Sequence, residues 1–123
     1  MESLLLDEEV EVVHSSKECL AHLSAIDDAL YVIGGKWKPL ILWVLKQGPH
    51  RFSELQRKVP GASQKVMTEQ LRQLERSGIV ERRTLPDARA HTEYRLSAYG
   101  ATLRPALTAL SKWGARHRER PVE

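Results

Sequence analysis

Sulfur and aromatic rings are scarce in this 123-residue sequence, which has one cysteine, one phenylalanine, three tyrosines and three tryptophans. A single cysteine excludes an intramolecular disulfide and fits a reducing compartment, so a cytoplasmic protein is expected. The longest apolar run, residues 40–45, falls far short of the ~20 residues a membrane-spanning helix needs. The opening MESLLLDEE flanks its leucines with acids rather than bases, which is not the pattern of a secretory signal. Glycine-rich phosphate loops, GxSxG, HExxH and paired-carboxylate constellations are all missing. Asp27 and Asp28 are adjacent and so point to different sides of a helix. His14, Cys19 and His22 are spaced too loosely for a zinc site. A single-domain protein that is not an enzyme, with no metal and no cofactor, is the expectation.

Charge is more informative. The net charge of +3 hides an asymmetry. Residues 1–18 carry six acids and one lysine, a balance of −5, whereas residues 19–123 carry eighteen Lys/Arg against ten Asp/Glu, a balance of +8. A basic body with an acidic N-terminal arm points to a polyanionic partner. A basic surface that is merely solvated has the same composition, so the placement of the charges decides. The arm itself fits a frayed segment, or a short strand or helix packed on a partner subunit.

Residues 51–78, RFSELQRKVPGASQKVMTEQLRQLERSG, predict two short helices around a tight turn. Ser53 and Gln56 have capping-box spacing for the first helix. That helix must stop near Val59, because Pro60 disfavours helical backbone before it and Gly61 opens the turn. Ser63 supplies a second N-cap, and the next helix runs to Ser77 with Gly78 as its stop. IVERRTL, the loop PDARA and HTEYRL then predict two strands of a hairpin. A helix-turn-helix followed by a basic hairpin is the order of a winged helix. The expected fold is α+β, mostly α, with a two-stranded wing hairpin and a long C-terminal helix.

Elsewhere, Leu23, Ile26, Leu30 and Ile33 predict a helix over residues 21–33, ended by Gly34-Gly35. A second helix starts near Pro39, with Trp37, Ile41, Val44 and Leu45 as its buried face, and closes at Gly48-Pro49. Ser97 can cap the last helix, in which Pro105 should produce a kink. Residues 1–20 form the acidic arm and residues 21–119 the winged-helix domain with its dimerisation helices. Leu103, Leu107, Leu110 and Trp113 keep helical spacing. With Trp43, which lies off the main stripe of its helix, they are candidates for a dimer interface; a helix folded back on its own core has the same pattern. Trp43 also suits an effector pocket.

In the helix from Gln64, Met67, Leu71 and Leu74 fall on one stripe facing the core. The other face holds Lys65, Thr68, Glu69, Arg72 and Arg76. Gln64, Lys65, Thr68 and Glu69 lie at the N-terminal end, where a recognition helix meets base edges. Gln suits adenine, Lys reaches guanine acceptors, and the Thr methyl suits thymine. Ser63 and the first backbone amides can hold a phosphate, while Arg72 and Arg76 are better placed for the backbone. An ordinary solvated helix has a similar face, and the flanking turn and hairpin are what favour DNA. In the hairpin, Arg82, Arg89 and His91 are candidates, with Arg89 at the tip where a guanidinium can enter a minor groove. Arg82 and Arg83 alternate in direction, so one can face DNA while the other pairs with an acid. Cys19 is either a redox sensor, if exposed and activated, or an idle thiol.

The sequence resembles the HxlR-type winged helix-turn-helix regulators, a bacterial group related to MarR-type repressors. The resemblance rests on GGKW (34–37), PLIL (39–42), RFSEL (51–55), PGASQKVMTEQLRQLERSGIVERR (60–83), EYRLS (93–97) and the closing WG (113–114), and covers about residues 23–118. It implies a homodimer on a pseudo-palindromic operator, acting mostly as a repressor and sometimes as an activator. It also implies recognition by the helix from Gln64 and a wing around Arg89. The family's frequent Pro-Pro pair before Val-Glu-Tyr is replaced here by Arg89-Ala90, His91 and Thr92. Its frequent N-terminal cysteine is usually followed by proline, whereas Cys19 precedes Leu20 and lies about one helical turn further upstream. Two other functions stay open: a sensor regulator switched by an oxidant at Cys19 or a small molecule at the dimer interface, and a winged-helix protein-interaction module that binds no DNA.

Overall fold

The computed structural model describes residues 2–86 and 91–122, with side chains from residue 16 onward. The chain divides into two units, Met1–Ile33 and Gly34–Glu123. The first is one continuous helix, α1 (Glu2–Ile33), of 32 residues. The helix expected over residues 21–33 is its C-terminal part. Gly35 then takes a φ of +87° that only glycine adopts easily, which ends the helical path.

The second unit runs α2 (Lys38–Leu45), β1 (His50–Arg51), α3 (Phe52–Lys58), α4 (Gln64–Arg76), β2 (Val80–Leu85), β3 (His91–Leu96), a 3₁₀ turn (Gly100–Leu103) and α5 (Arg104–Glu119). The strands form one antiparallel sheet in the order β1-β3-β2. This is the winged helix expected from the sequence, mostly helical and ending on a long helix. The hairpin pairs from Val80↔Leu96 to Leu85↔His91. Sequence periodicity gave no sign of β1, whose two residues pair as His50↔Tyr94 and Arg51↔Glu93. Its partner is distant in sequence, and two residues are too few for a period.

The core lies where α2, α3 and α4 meet. Ile41, Leu42, Leu45, Leu55, Val59, Met67, Leu71 and Leu74 are fully buried. In α2 the buried stripe is wider than predicted: Leu42 joins Ile41, Val44 and Leu45, while Trp37 is only half-buried. One polar ring also enters this interior. His50 is buried, with Nδ1 2.7 Å from the Gly48 carbonyl and Nε2 2.8 Å from the Lys58 ammonium. The carbonyl can only accept, so Nδ1 carries the proton and Nε2 accepts from Lys58. Both ring nitrogens are satisfied, and β1 is tied to the end of α3.

The last helix begins differently from the sequence expectation. Ser97 Oγ does act as a cap, accepting from the Gly100 amide at 2.8 Å, but what it starts is the 3₁₀ turn. The α-helix proper opens at Arg104, so Pro105 stands in its first turn. There its missing N–H removes no helical hydrogen bond, so the cause given for the expected kink is absent. The Ser97 hydroxyl also donates to the Gly78 carbonyl at 2.6 Å, with that of Ile79 at 3.2 Å. The Ile79 carbonyl in turn accepts from the Ser97 amide at 2.9 Å.

Gly100 is fixed by this joint. A Cβ at that position would lie 2.0 Å from the Ile79 carbonyl oxygen, against backbone that cannot swing away. Gly100→Ala should therefore cost about 1–3 kcal/mol, as overpacking does, and lower the melting temperature by roughly 10 °C. Thermal unfolding followed by circular dichroism measures this; a variant melting with the wild type would contradict the close approach.

Candidate nucleic-acid interface

The site is assembled around α3, the turn and α4. The first cap of the pair is not Ser53 with Gln56. β1 leads directly into the helix, which therefore starts at Phe52 with Arg51 as its N-cap residue. The Arg51 amide donates to Glu54 Oε1 at 2.9 Å. That hydrogen bond, helped by the nearby positive charges of Arg51 and Lys58, holds the Glu54 carboxyl below its ordinary range. Gln56 instead spans the turn, its amide donating to the Ala62 carbonyl. Gly61 takes a φ of +96° against the Trp37 ring, the conformation that lets the chain reverse there.

Ser63 caps α4 as predicted, its Oγ accepting from the Val66 amide at 3.1 Å. Met67, Leu71 and Leu74 turn into the core. The opposite stripe brings together Gln64, Lys65, Thr68, Glu69, Arg72 and Arg76 on one open face. All are exposed except Thr68, which is half-buried. The Thr68 hydroxyl donates to the Gln64 carbonyl at 2.8 Å, so its proton is already used within the helix. Three cations and one acid remain on this stripe. Beyond them, Ser63 and the unpaired amides of the first turn form a positive helix end.

At the hairpin, Arg82 pairs with Glu75 of α4 at 3.3 Å. Of the two adjacent arginines it is Arg82 that meets Glu75, while Arg83 sits on the alternate face, across the strands from Glu93. Arg95 and Glu81 pair across the strands at 3.0 Å. His91 opens β3 half-buried, opposite Leu85. Arg89 lies outside the described residues. Tyr94, buried beneath the hairpin and 6.4 Å from the Phe52 ring, ties the wing to α3. Its burial, with Glu75 nearby, pushes the phenol pKa up.

The remaining candidates scatter. Cys19 is an exposed free thiol on α1. No cluster of three metal-ligating side chains occurs among the described residues, and none of the described helices is long and apolar enough to cross a membrane. Leu107 is 3% exposed and belongs to the chain's own core, whereas Leu110 and Trp113 are exposed and Leu103 half-buried. Trp43 is half-buried, with the Lys46 ammonium 4.7 Å from its ring centroid. Trp43, Leu107 and Leu110 meet Pro39, Leu40 and Ser111 around a groove of about 290 Å³. Sequence reasoning missed Leu40 at this groove and Lys46 over the Trp43 ring, although both lie within one turn of Trp43.

Residues 32–121 match the HxlR-like helix-turn-helix family. An uncharacterized HTH-type transcriptional regulator of Methanothermobacter thermautotrophicus is 42% identical over 93 residues, spanning 76% of this chain and 71% of its own. The crystal structure of the HTH-type regulator YtcD, of Bacillus subtilis, superposes with a TM-score of 0.73 at 44% identity, covering 77% of this chain and 97% of that one. The redox regulator HypR in its reduced form also gives a TM-score of 0.73, at 37% identity over 76% of this chain and 93% of its own.

The two caps at this site make separate predictions. Ser63→Ala should cost about 1 kcal/mol in thermal unfolding, while Ser63→Asp, which keeps an acceptor, should stay near wild type. Ionised Glu54 stabilises the fold above its ordinary pKa of 4.5, and that contribution is lost as pH falls through its lower folded value. Glu54→Gln should remove this acid-dependent step from urea midpoints measured between about pH 3 and 7; an unchanged profile would show that the Arg51 amide bond contributes nothing.

Proposed function

The chain belongs to the HxlR-like helix-turn-helix family of transcriptional regulators, and on that premise we propose that it is a cytoplasmic homodimer that binds a pseudo-palindromic operator, mostly to repress. The family is one of regulators rather than enzymes. The observation that carries the reading is α4. Its apolar stripe is buried, its N-terminus is capped by Ser63, and Gln64, Lys65, Thr68, Glu69, Arg72 and Arg76 stand together on the open side. Gln64 and Lys65 lie where base edges are met, and Arg72 and Arg76 lie further along, toward phosphates. Arg82 reaches a phosphate only by sharing Glu75, whereas Arg89 and His91 belong to the wing. Two-fold symmetry then sets inverted half-sites about one helical turn apart.

An exposed Cys19 and the similarity to a redox regulator favour one second reading, in which oxidation of the thiol alters DNA binding. A Cys19→Ser variant whose DNA affinity still responds to oxidant like the wild type would end it.

Fluorescence anisotropy on duplexes tiled across the upstream region of the gene, against a random duplex, tests the main reading. Neutralising six to ten phosphates should weaken binding about 10³- to 10⁵-fold between roughly 50 and 200 mM salt. Gln64→Ala and Lys65→Ala should relax discrimination between tiles, whereas Arg72→Ala, which removes one contact per subunit, should weaken all duplexes and flatten the salt slope by about two. Absence of duplex binding at either salt would favour the protein-interaction module instead.

A further inference from the structure

Each end of α2 carries a lysine seated on a tryptophan. At its start the Lys36 ammonium lies 4.7 Å from the centroid of the Trp37 ring, and at its close Lys46 lies 4.7 Å from that of Trp43. The two seats differ in what the ring touches. Trp43 borders the apolar groove shared with Leu107 and Leu110. Trp37 instead meets the turn between α3 and α4, where a Cβ on Gly61 would lie 3.4 Å from its Cη2 and 4.0 Å from its Cζ3. Trp37 is half-buried and Lys36 exposed. One indole ring therefore separates the Lys36 charge from a turn that leads, two residues on, into the Ser63 cap of α4.

A surface lysine paired with a carboxylate has its charge cancelled by the group that holds it. Lys36 is held differently. Among the described residues no carboxylate pairs with it. Its neighbour is the face of an indole, which attracts the ammonium through the ring quadrupole and carries no net charge. The ring takes one side of the ammonium and restrains the flexible four-carbon stem, while N–H donors remain on the solvent side. Part of the side-chain entropy that a bound lysine must lose is thus already lost before a ligand arrives. A fixed, uncompensated positive charge beside the turn of a helix-turn-helix suits an oxyanion.

We propose that Lys36 is a phosphate anchor of the DNA interface, gripping the duplex backbone beside the N-terminal end of α4. This rests on the DNA-binding reading and adds to it a contact from the turn before α2, outside both the candidate recognition helix and the wing. An ammonium makes charge-assisted hydrogen bonds to phosphate oxygens, which fix the orientation of a protein on the duplex and carry no base information. Trp37 is then a positioning residue: it touches no phosphate and orients the ammonium that does. In a two-fold dimer the anchor acts once in each half-site.

Anisotropy titrations of the full chain on its preferred tile and on the random duplex test this. Lys36→Gln should weaken both duplexes by the same factor, about tenfold near 50 mM salt and little near 200 mM, because losing one phosphate contact per subunit flattens the salt slope by about two. Its melting temperature should fall by no more than roughly 6 °C, the worth of an exposed cation–π contact. Lys36→Arg, which keeps the charge and the attraction to the ring, should bind like the wild type. Lys46→Gln removes an equal charge from an equal seat at the far end of α2 and should leave the slope unchanged. A Lys36→Gln variant that melts lower but keeps the wild-type slope would make the lysine a structural clip and overturn the proposal. So would equal flattening by Lys46→Gln, which would reduce the effect to net charge, or a Lys36→Arg variant as weak as Lys36→Gln. Wild type that binds no duplex at either salt sinks the DNA-binding reading itself, whereas wild type that binds with a slope indifferent to Lys36→Gln sinks only the anchor.

Discussion

The Ser97 hydroxyl is the joint on which the winged helix closes. It accepts from the Gly100 amide and donates to the carbonyls that follow α4, so one oxygen links the exit of the candidate recognition helix to the entry of the last helix. These groups are buried or nearly so, and an unmade hydrogen bond among them would cost about 1–3 kcal/mol. The joint requires the backbone of residue 100 to press against Ile79, which is why a glycine stands there. It also explains how α5 begins: the 3₁₀ turn set by Ser97 is used up before Pro105, which then meets the first helical turn rather than the middle of a helix.

Around this joint the polar groups divide by environment. His50 and Ser97 are buried, and each is fully occupied by backbone or by Lys58. The charged residues of α4 remain at the surface, where high dielectric makes their pairs weak and leaves them available to a ligand. A rigid frame with an adaptable charged face suits a partner whose charges are regularly spaced.

What was legible in the sequence was local. The stripe of Met67, Leu71 and Leu74, the Ser63 cap and the Gly78 stop are all encoded within a few residues of where they act, and each appears where expected. The same local signals grouped Gln64, Lys65, Thr68, Glu69, Arg72 and Arg76 on one face. Features that depend on distant partners were not legible. β1 exists only because His50 meets Tyr94, and its presence moved the N-cap of α3 from Ser53 back to Arg51. Strand alternation showed that Arg82 and Arg83 would point opposite ways, but only the packing of β2 beside α4 gives Arg82 its acid, Glu75, and only the strand register sets Arg83 across from Glu93. Helical spacing likewise put Leu107 and Leu110 on one face without revealing that the core covers the first and leaves the second open.

A link of only three residues between α4 and β2, with Ile79 and Val80 buried, ties the base of the wing to the last turn of the helix, and the Glu75–Arg82 pair lies across the same junction. The two elements have little freedom to adjust to one another. A duplex read by both must then do the adjusting, opening or narrowing its grooves to match a span that the protein holds constant. Selectivity would come partly from positions that no side chain touches, through the ease with which pyrimidine–purine steps bend and the stiffness of A-tracts. The protein would act as a gauge of duplex compliance as well as a reader of base edges.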